Sequence, residues 1–285
     1  MIVVRLRGGL GNQLFQYAAA RALAHRLGVP LGLDTRAYRK NKLRSFELSA
    51  YRIAAVPISA GSLPPKPRHR LRRRLWQALH PAMKIFTERR FSFDPSVLTL
   101  RDDTYLEGFF QSERYFRDAE TQLRADLTLR EPPIGDEQRI LAHVRGTAAV
   151  SLHVRRGDYV SDAATRDAVG SLALSYYEQA VALIAERMNA TPTVFIFSDD
   201  PEWARANLAL PYPTEVIAIE PRRPPAHDLA LMAACRHHVI ANSSFSWWGA
   251  WLNPSQSKIV VAPQQWFANS ALDTTTLLPQ SWLHL

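Results

Sequence analysis

Cysteine is nearly absent from this chain. The single Cys235 among 285 residues excludes an intrachain disulfide and a cysteine-based metal cluster. It lies in an apolar helical pattern, which predicts a small core residue. Long apolar runs are missing too, and no stretch approaches the ~18 residues needed to span a bilayer. The opening Met1-Ile2-Val3-Val4 reads directly as a strand, without the cleavable apolar region of a signal peptide. No Asp-x-Asp triplet occurs, so a divalent cation clamped by carboxylates on a diphosphate is not indicated. Zinc spacing, a Walker loop and a Ser–His–Asp order are absent as well. The scarce cysteine, the short apolar runs and the missing signal peptide point to the cytoplasm.

Acids are outnumbered by bases, 26 against 35, for a net charge of +9. That excess is local. Between Lys66 and Arg90 there are nine Lys and Arg residues and one acid, Glu88, so the rest of the chain is close to neutral. A charge confined to one segment argues against a nucleic-acid-binding module, although such a module is the second function class to test. The stretch 57–90 reads as a basic insertion rich in Pro and Arg. Pro57, Gly61, Pro64, Pro65 and Pro67 make a loop. A basic helix follows, with Leu71, Leu75, Trp76 and Leu79 on one face. Two readings stand: peripheral contact of residues 66–90 with an anionic membrane or a lipid-linked acceptor, or a solvated helix packed on its domain.

The remaining pattern is that of an α/β protein. Hydrophobic residues make up 47% and charged residues 21%, as in soluble globular chains, and 285 residues suffice for two ordinary domains. A strand at 1–6, a glycine-rich turn at 8–11, a helix at 12–27 and a strand at 31–34 begin a parallel layer. From Val150 onward, short apolar strands at 150–153, 193–197, 214–219, 238–241 and 258–262 alternate with helices at 176–188, 228–235 and 245–252. Such runs suit a parallel sheet covered on both faces. The division predicted is residues 1–140 and 141–285.

Several constellations stand where such sheets bind ligands. His153-Val154-Arg155-Arg156-Gly157-Asp158 follows an apolar strand. Arginine forks match phosphate oxygens, and strand carboxyl ends hold ligands, so an anionic ligand is one reading and a buried ion-pair network the other. Gly8-Gly9-Leu10-Gly11-Asn12-Gln13 lies between strand and helix, where a ligand can approach the backbone. As a dinucleotide fingerprint it is incomplete, because Leu14 stands where the third glycine should be, although Asp34 is placed like a ribose-binding acid. An NAD-linked oxidoreductase is thus the third class. Asp199 and Asp200 precede Pro201-Glu202-Trp203, and at least one of them is expected as a helix N-cap. Asn242-Ser243-Ser244-Phe245 ends a strand and opens an aromatic helix, a potential phosphate cradle, with its tryptophans read mainly as packing. Asp228 reads as an N-cap or a base contact.

The segments GGLGNQLFQYA (Gly8–Ala18), LEGFFQSERYF (Leu106–Phe116), HVRRGDY (His153–Tyr159), FSDDPEW (Phe197–Trp203) and NSSFSWWGAWL (Asn242–Leu252) resemble glycosyltransferase family 11, the α-1,2-fucosyltransferases. The resemblance spans most of the chain; residues 57–90 carry no part of it. It implies a GT-B fold of two facing Rossmann-like domains, with acceptor contacts in the N-terminal one and GDP-fucose in the C-terminal one. It implies transfer of L-fucose from GDP-β-L-fucose to the 2-hydroxyl of a galactose-terminated oligosaccharide, with inversion and without metal. Arg155 would hold the β-phosphate. His153 and Asp228 would address guanine or ribose. Ser243, Ser244 and Phe245 would line the phosphate site, Gly9, Gly11 and Asn12 would meet it from the other domain, and Asp199 is a further donor contact. Asp158 is the candidate base or an orienter of the arginines, with Glu107 and Asp34 as alternative bases.

Overall fold

The computed structural model describes residues 1–39, 44–67, 69–157, 170–217, 223–268 and 272–285. Two compact units divide the chain. One comprises Met1–Arg130 and Thr275–Leu277, the other Glu131–Thr274 and Leu278–Leu285.

The first unit is built on a five-stranded, all-parallel sheet. Its strands are β1 (Ile2–Arg5), β2 (Leu31–Asp34), β3 (Val56–Pro57), β4 (Lys84–Thr87) and β5 (Thr104–Glu107), in the order β3-β2-β1-β5-β4. Strand numbering reverses between β1 and β5, so the ligand-binding crevice of such a sheet lies beyond their carboxyl ends. Helix α1 (Leu10–Leu27) buries Leu14, Phe15, Ala18, Ala22 and Leu23. It ends at Gly28, whose left-handed φ of 65° lets its N–H reach the Ala24 and His25 carbonyls. The glycine-rich turn is shorter than the sequence suggests: α1 starts at Leu10, so Gly11 and Asn12 are helical.

The stretch 57–90 is not set apart from this sheet. It carries the chain from β3 on one edge to β4 on the other and contains helix α2 (Arg70–Leu79). Trp76 is the buried residue of α2, whereas Leu71, Leu75 and Leu79 are exposed, so the leucines and the tryptophan do not share a face. Helix α3 (Glu120–Asp126) completes the unit. Its buried Asp126 accepts from the Tyr17 hydroxyl and from Arg21, each at 2.7 Å. Thr276 returns to this unit, accepting the Phe93 N–H through Oγ1 at 2.8 Å and the Ser112 hydroxyl through its carbonyl at 2.6 Å.

The second unit holds a six-stranded parallel sheet. Its strands are β6 (Ala149–Val154), β7 (Thr193–Ser198), β8 (Thr214–Val216), β9 (His237–Val239), β10 (Val260–Ala262) and β11 (Leu283–His284), in the order β11-β10-β9-β6-β7-β8. The chain winds outward from β6 to β8, then returns to lay β9 against β6 and winds the other way. This is the doubly wound Rossmann order, with its switch point between β6 and β9. Helices α4 (Asp136–Gly146), α5 (Leu174–Met188), α6 (Pro201–Asn207), α7 (Pro225–Ala234) and α8 (Ser244–Leu252) cover it. Val150, Leu152, Val194, Ile196 and Val239 pack with Tyr177, Val181 and Ile184 of α5 in one core. Trp247 and Trp248 are fully buried, so they serve as packing, and Cys235 is buried with burial pushing its thiol pKa up. The expected α/β architecture, two Rossmann-like units on parallel sheets, is therefore present.

Candidate functional site

At the switch point of the second unit, β6 ends in the histidine–arginine segment. Pairing His153 with Phe197 and Val154 with Ser198 brings the end of β6 beside that of β7, and so beside Asp199. The Asp199 carboxylate organises the turn after β6. Its Oδ1 accepts the Arg156 N–H at 2.8 Å, and its Oδ2 accepts the Gly157 N–H at 3.0 Å. The same Oδ2 lies 3.0 Å from a guanidinium nitrogen of Arg155. A Cβ on Gly157 would sit 2.6 Å from that oxygen, so a larger residue here would push the Asp199 carboxylate aside. Asp199 thus acts as a clamp on Arg155, a task with no local sign in the sequence because its partners are 42 to 44 residues away. Asp200 is the expected N-cap, accepting the Trp203 N–H at 3.1 Å and opening α6. It also lies 3.3 Å from Arg156, whose guanidinium covers the Trp203 ring at 3.8 Å. Arg156 therefore pairs with Asp200 and stacks on Trp203, while Arg155 pairs with Asp199, and the two side chains are 24% and 22% exposed. Asp158 lies outside the described residues.

His153 is buried, and burial, reinforced by the neighbouring Arg155, drives its pKa down to about 3. It is a neutral imidazole at working pH. Its Nδ1 is buried without a hydrogen-bond partner among the described residues, and its ring lies 5.7 Å from that of Phe245. His238, on the next strand, differs: its Nδ1 meets Ser151 Oγ at 2.8 Å and its Nε2 meets Asn253 Nδ2 at 2.9 Å. One histidine is satisfied by the fold and the other has an open polar atom, which buried polar groups rarely leave unused.

Across the switch point, β9 leads to the start of α8. Ser243 is its N-cap, with Oγ accepting the Phe245 N–H at 3.3 Å, and Ser246 Oγ turns back to the Ala241 and Ser243 carbonyls. Ser244 is the first residue of the helix, half-buried at the positive end of its dipole. The carboxyl ends of β6 and β9 therefore bring together a guanidinium, a neutral histidine and a helix N-terminus, the first and last of them donors suited to an anion.

Asp228 is not the N-cap of its helix. Helix α7 begins three residues earlier at Pro225, and Pro224 is the cap. Burial pushes the Asp228 carboxyl up to about 6 from its ordinary 3.8, against the pull of Arg223, whose Nε lies at 2.8 Å. Beside it, His227 Nδ1 contacts Glu137 Oε2 of α4 at 2.6 Å. No contact joins Asp228 to His153, Arg155 or Ser244 among the described residues. Nor, among the described residues, do three His, Cys, Asp or Glu side chains gather as a metal-ligand set.

The first unit has its own polar floor at the carboxyl ends of β1, β2 and β5. Gly8 takes a left-handed φ of 83°, and Gly9 is the extended N-cap of α1. Asn12 Oδ1 accepts from Gln111 at 2.7 Å. Gln16 accepts the Arg7 N–H at 2.9 Å and donates to the Gly108 carbonyl at 3.2 Å, tying the turn after β1 to the turn after β5. The glutamines and asparagine of the glycine motif thus knit loops. Asp34 is held by Arg36 at 2.9 and 2.8 Å and by the Tyr105 hydroxyl at 2.6 Å. Burial alone would raise its pKa, but these partners hold it below the usual range. Glu107 is occupied by Arg73 at 2.6 Å, Arg5 at 3.5 Å and Thr87 at 3.2 Å. Neither carboxylate is a free base.

Comparisons with known proteins bear on family and fold. The family model described as "Glycosyl transferase family 11" matches residues 83–284. An alpha-1,2-colitosyltransferase of Escherichia coli is 33% identical over 293 residues, covering 100% of this chain and 99% of that protein. Galactoside alpha-(1,2)-fucosyltransferase 1 of Saimiri sciureus is 28% identical, over 86% of this chain and 63% of its own length. Among solved structures, the fucosyltransferase NodZ from Bradyrhizobium superposes with a TM-score of 0.50 at 18% identity, covering 89% of this chain and 93% of that one, a likeness of fold. On the strength of the family match and the full-length relative, the chain belongs to glycosyl transferase family 11.

Proposed function

We propose that this protein moves L-fucose from GDP-β-L-fucose to the 2-hydroxyl of a terminal galactose residue, with inversion. The observation that carries the reading is Arg155 at the β6–β9 switch point, fixed by Asp199 and flanked by the start of α8. In the reaction, the galactose oxygen attacks C1 of fucose as the bond from C1 to the diphosphate oxygen breaks. The electron pair leaves with GDP. Negative charge grows on the diphosphate in the transition state, where donors already in place lower the barrier most. Arg155 carries that role, and Ser244 and Phe245 at the helix start share it. Its fixed charge stands where a divalent cation would otherwise act, so turnover is expected to survive a chelator. Neutral His153 offers a hydrogen bond to the nucleotide and no proton relay. Asp158 is left as the candidate base, since Asp34 and Glu107 are fully engaged.

The test is Arg155→Ala. Its kcat with GDP-fucose should fall by ~10²–10³, the scale for losing one key electrostatic donor. Near-normal turnover in a folded variant would sink the assignment.

One observation favours a second donor: a full-length relative is a colitosyltransferase. Colitose is fucose without its 3-hydroxyl. A site built to bond that hydroxyl rejects the deoxy sugar strongly, while a site lined with apolar groups discriminates little. Single-turnover competition between GDP-fucose and the colitosyl nucleotide, with a panel of free and lipid-linked galactosides, separates the two.

A further inference from the structure

The charge excess of the chain is concentrated around α2, and the described residues divide that helix into two unlike faces. One face is anchored. Arg73 reaches Glu107 at 2.6 Å, Trp76 is buried and stacks on His80 with centroids 4.3 Å apart, and Gln77 donates to the Met83 carbonyl at 2.6 Å. The other face carries leucines at every fourth position. Leu71, Leu75 and Leu79 are 80%, 64% and 70% exposed. At about 100° per residue they form one stripe along the outer side of the helix, with Arg72 on one flank and Arg70 and Arg74 on the other. All three arginines are exposed, as are Lys66, Lys84, Arg89 and Arg90 around the helix.

We propose that this face docks the protein on a bilayer surface rich in anionic lipid. Leucines in the middle and arginines on both flanks are the pattern of a helix lying in the interface plane, with apolar side chains among the acyl chains and guanidinium groups at the headgroups. Other occupants fit poorly. Nucleic acid would satisfy the arginines and leave the leucine stripe at the centre of the contact in water. A second copy of the chain would cover the leucines and set arginine rows against each other. An anionic bilayer satisfies both at once. The proposal does not depend on the transferase reading; if that reading holds, Arg73 links the docked helix to the strand ends of the first unit, which suits a lipid-linked acceptor.

Co-sedimentation of the full chain with vesicles tests it. Vesicles of phosphatidylcholine mixed with phosphatidylglycerol should bind the protein, and phosphatidylcholine alone should bind it at least about tenfold more weakly. Replacing Arg70, Arg72 and Arg74 by Gln should weaken binding by about a hundredfold at low salt. Leu71→Ser, Leu75→Ser and Leu79→Ser together should lower it more than about tenfold, with an unchanged Tm and unchanged turnover on a soluble acceptor. Full vesicle binding by the folded leucine variant, or equal binding to both vesicle types, overturns the proposal. So does a concentration-dependent dimer that the leucine variant loses in sedimentation velocity while the wild type ignores vesicles.

Discussion

At the scale of single residues, the turn after β6 depends on one carboxylate doing three things. Asp199 accepts two backbone N–H groups and pairs with Arg155, so the guanidinium is fixed before any ligand arrives. Gly157→Ala is the sharpest probe of this. Its methyl group would be 2.6 Å from Asp199 Oδ2, and the clamp must open to admit it. The expected outcome is a loss of about tenfold or more in kcat with a Tm close to wild type, since the turn is at the surface and the core is untouched. Unchanged kcat would show that the clamp is not needed to aim Arg155. The arginine, histidine and glycine of this turn were legible in the sequence because charged residues after an apolar run are conspicuous. The role of Asp199 was not, because it arises only when β6 and β7 lie side by side.

At the scale of elements, the sequence signals of the helix starts were uneven. Pro201 and Ser243 marked α6 and α8 well, since a proline at N1 and a serine cap are strong local signals. For α7, Pro225 was the true signal, and Asp228, the more conspicuous residue, lies inside the first turn. Strand β5 has no clear sequence signal, because Thr104-Tyr105-Leu106-Glu107 has polar ends even though all four residues are buried. Strands β3 and β4 were hidden by the prolines and arginines around them. The Asp228 position makes a pH prediction. Its carboxyl rises from 3.8 to about 6 on folding, so the folded state holds its proton more tightly than the unfolded chain. Stability from this group is complete below about pH 4 and is lost as pH rises through about 6. Plotted against pH, the Tm of the wild type minus that of Asp228→Asn should fall across this window and level off above it. A flat difference would show that the carboxyl is not shifted.

At the scale of the whole molecule, the fold class was legible because parallel sheets need near-continuous apolar strands joined by helices. The two strand orders were not, because nothing local says that β9 returns to β6 or that β5 lies beside β1. Those two adjacencies bring the recognised motifs together. HVRRGDY and NSSFSWWGAWL flank one switch point, and GGLGNQLFQYA and LEGFFQSERYF flank the other. The proposed function then makes a prediction for the intact protein. GDP at a hundred times its Kd should stabilise the folded state by about 2.7 kcal/mol, read as a rise in Tm, while NAD and an oligonucleotide leave it unmoved. Stabilisation by NAD would favour a dehydrogenase instead, and steeply salt-dependent stabilisation by the oligonucleotide a nucleic-acid module.

The return of Thr275–Leu277 to the first unit has a consequence for protein engineering. A chimaera that joins the front half of one relative to the back half of another with a single crossover near Arg130 takes Thr276 from the wrong parent. Expressed alone, residues 1–130 lose the partner of the Phe93 N–H and of the Ser112 hydroxyl. The two units are therefore best exchanged with three crossovers, one near Arg130 and one on either side of residues 275–277, so that the first unit keeps its closing strap.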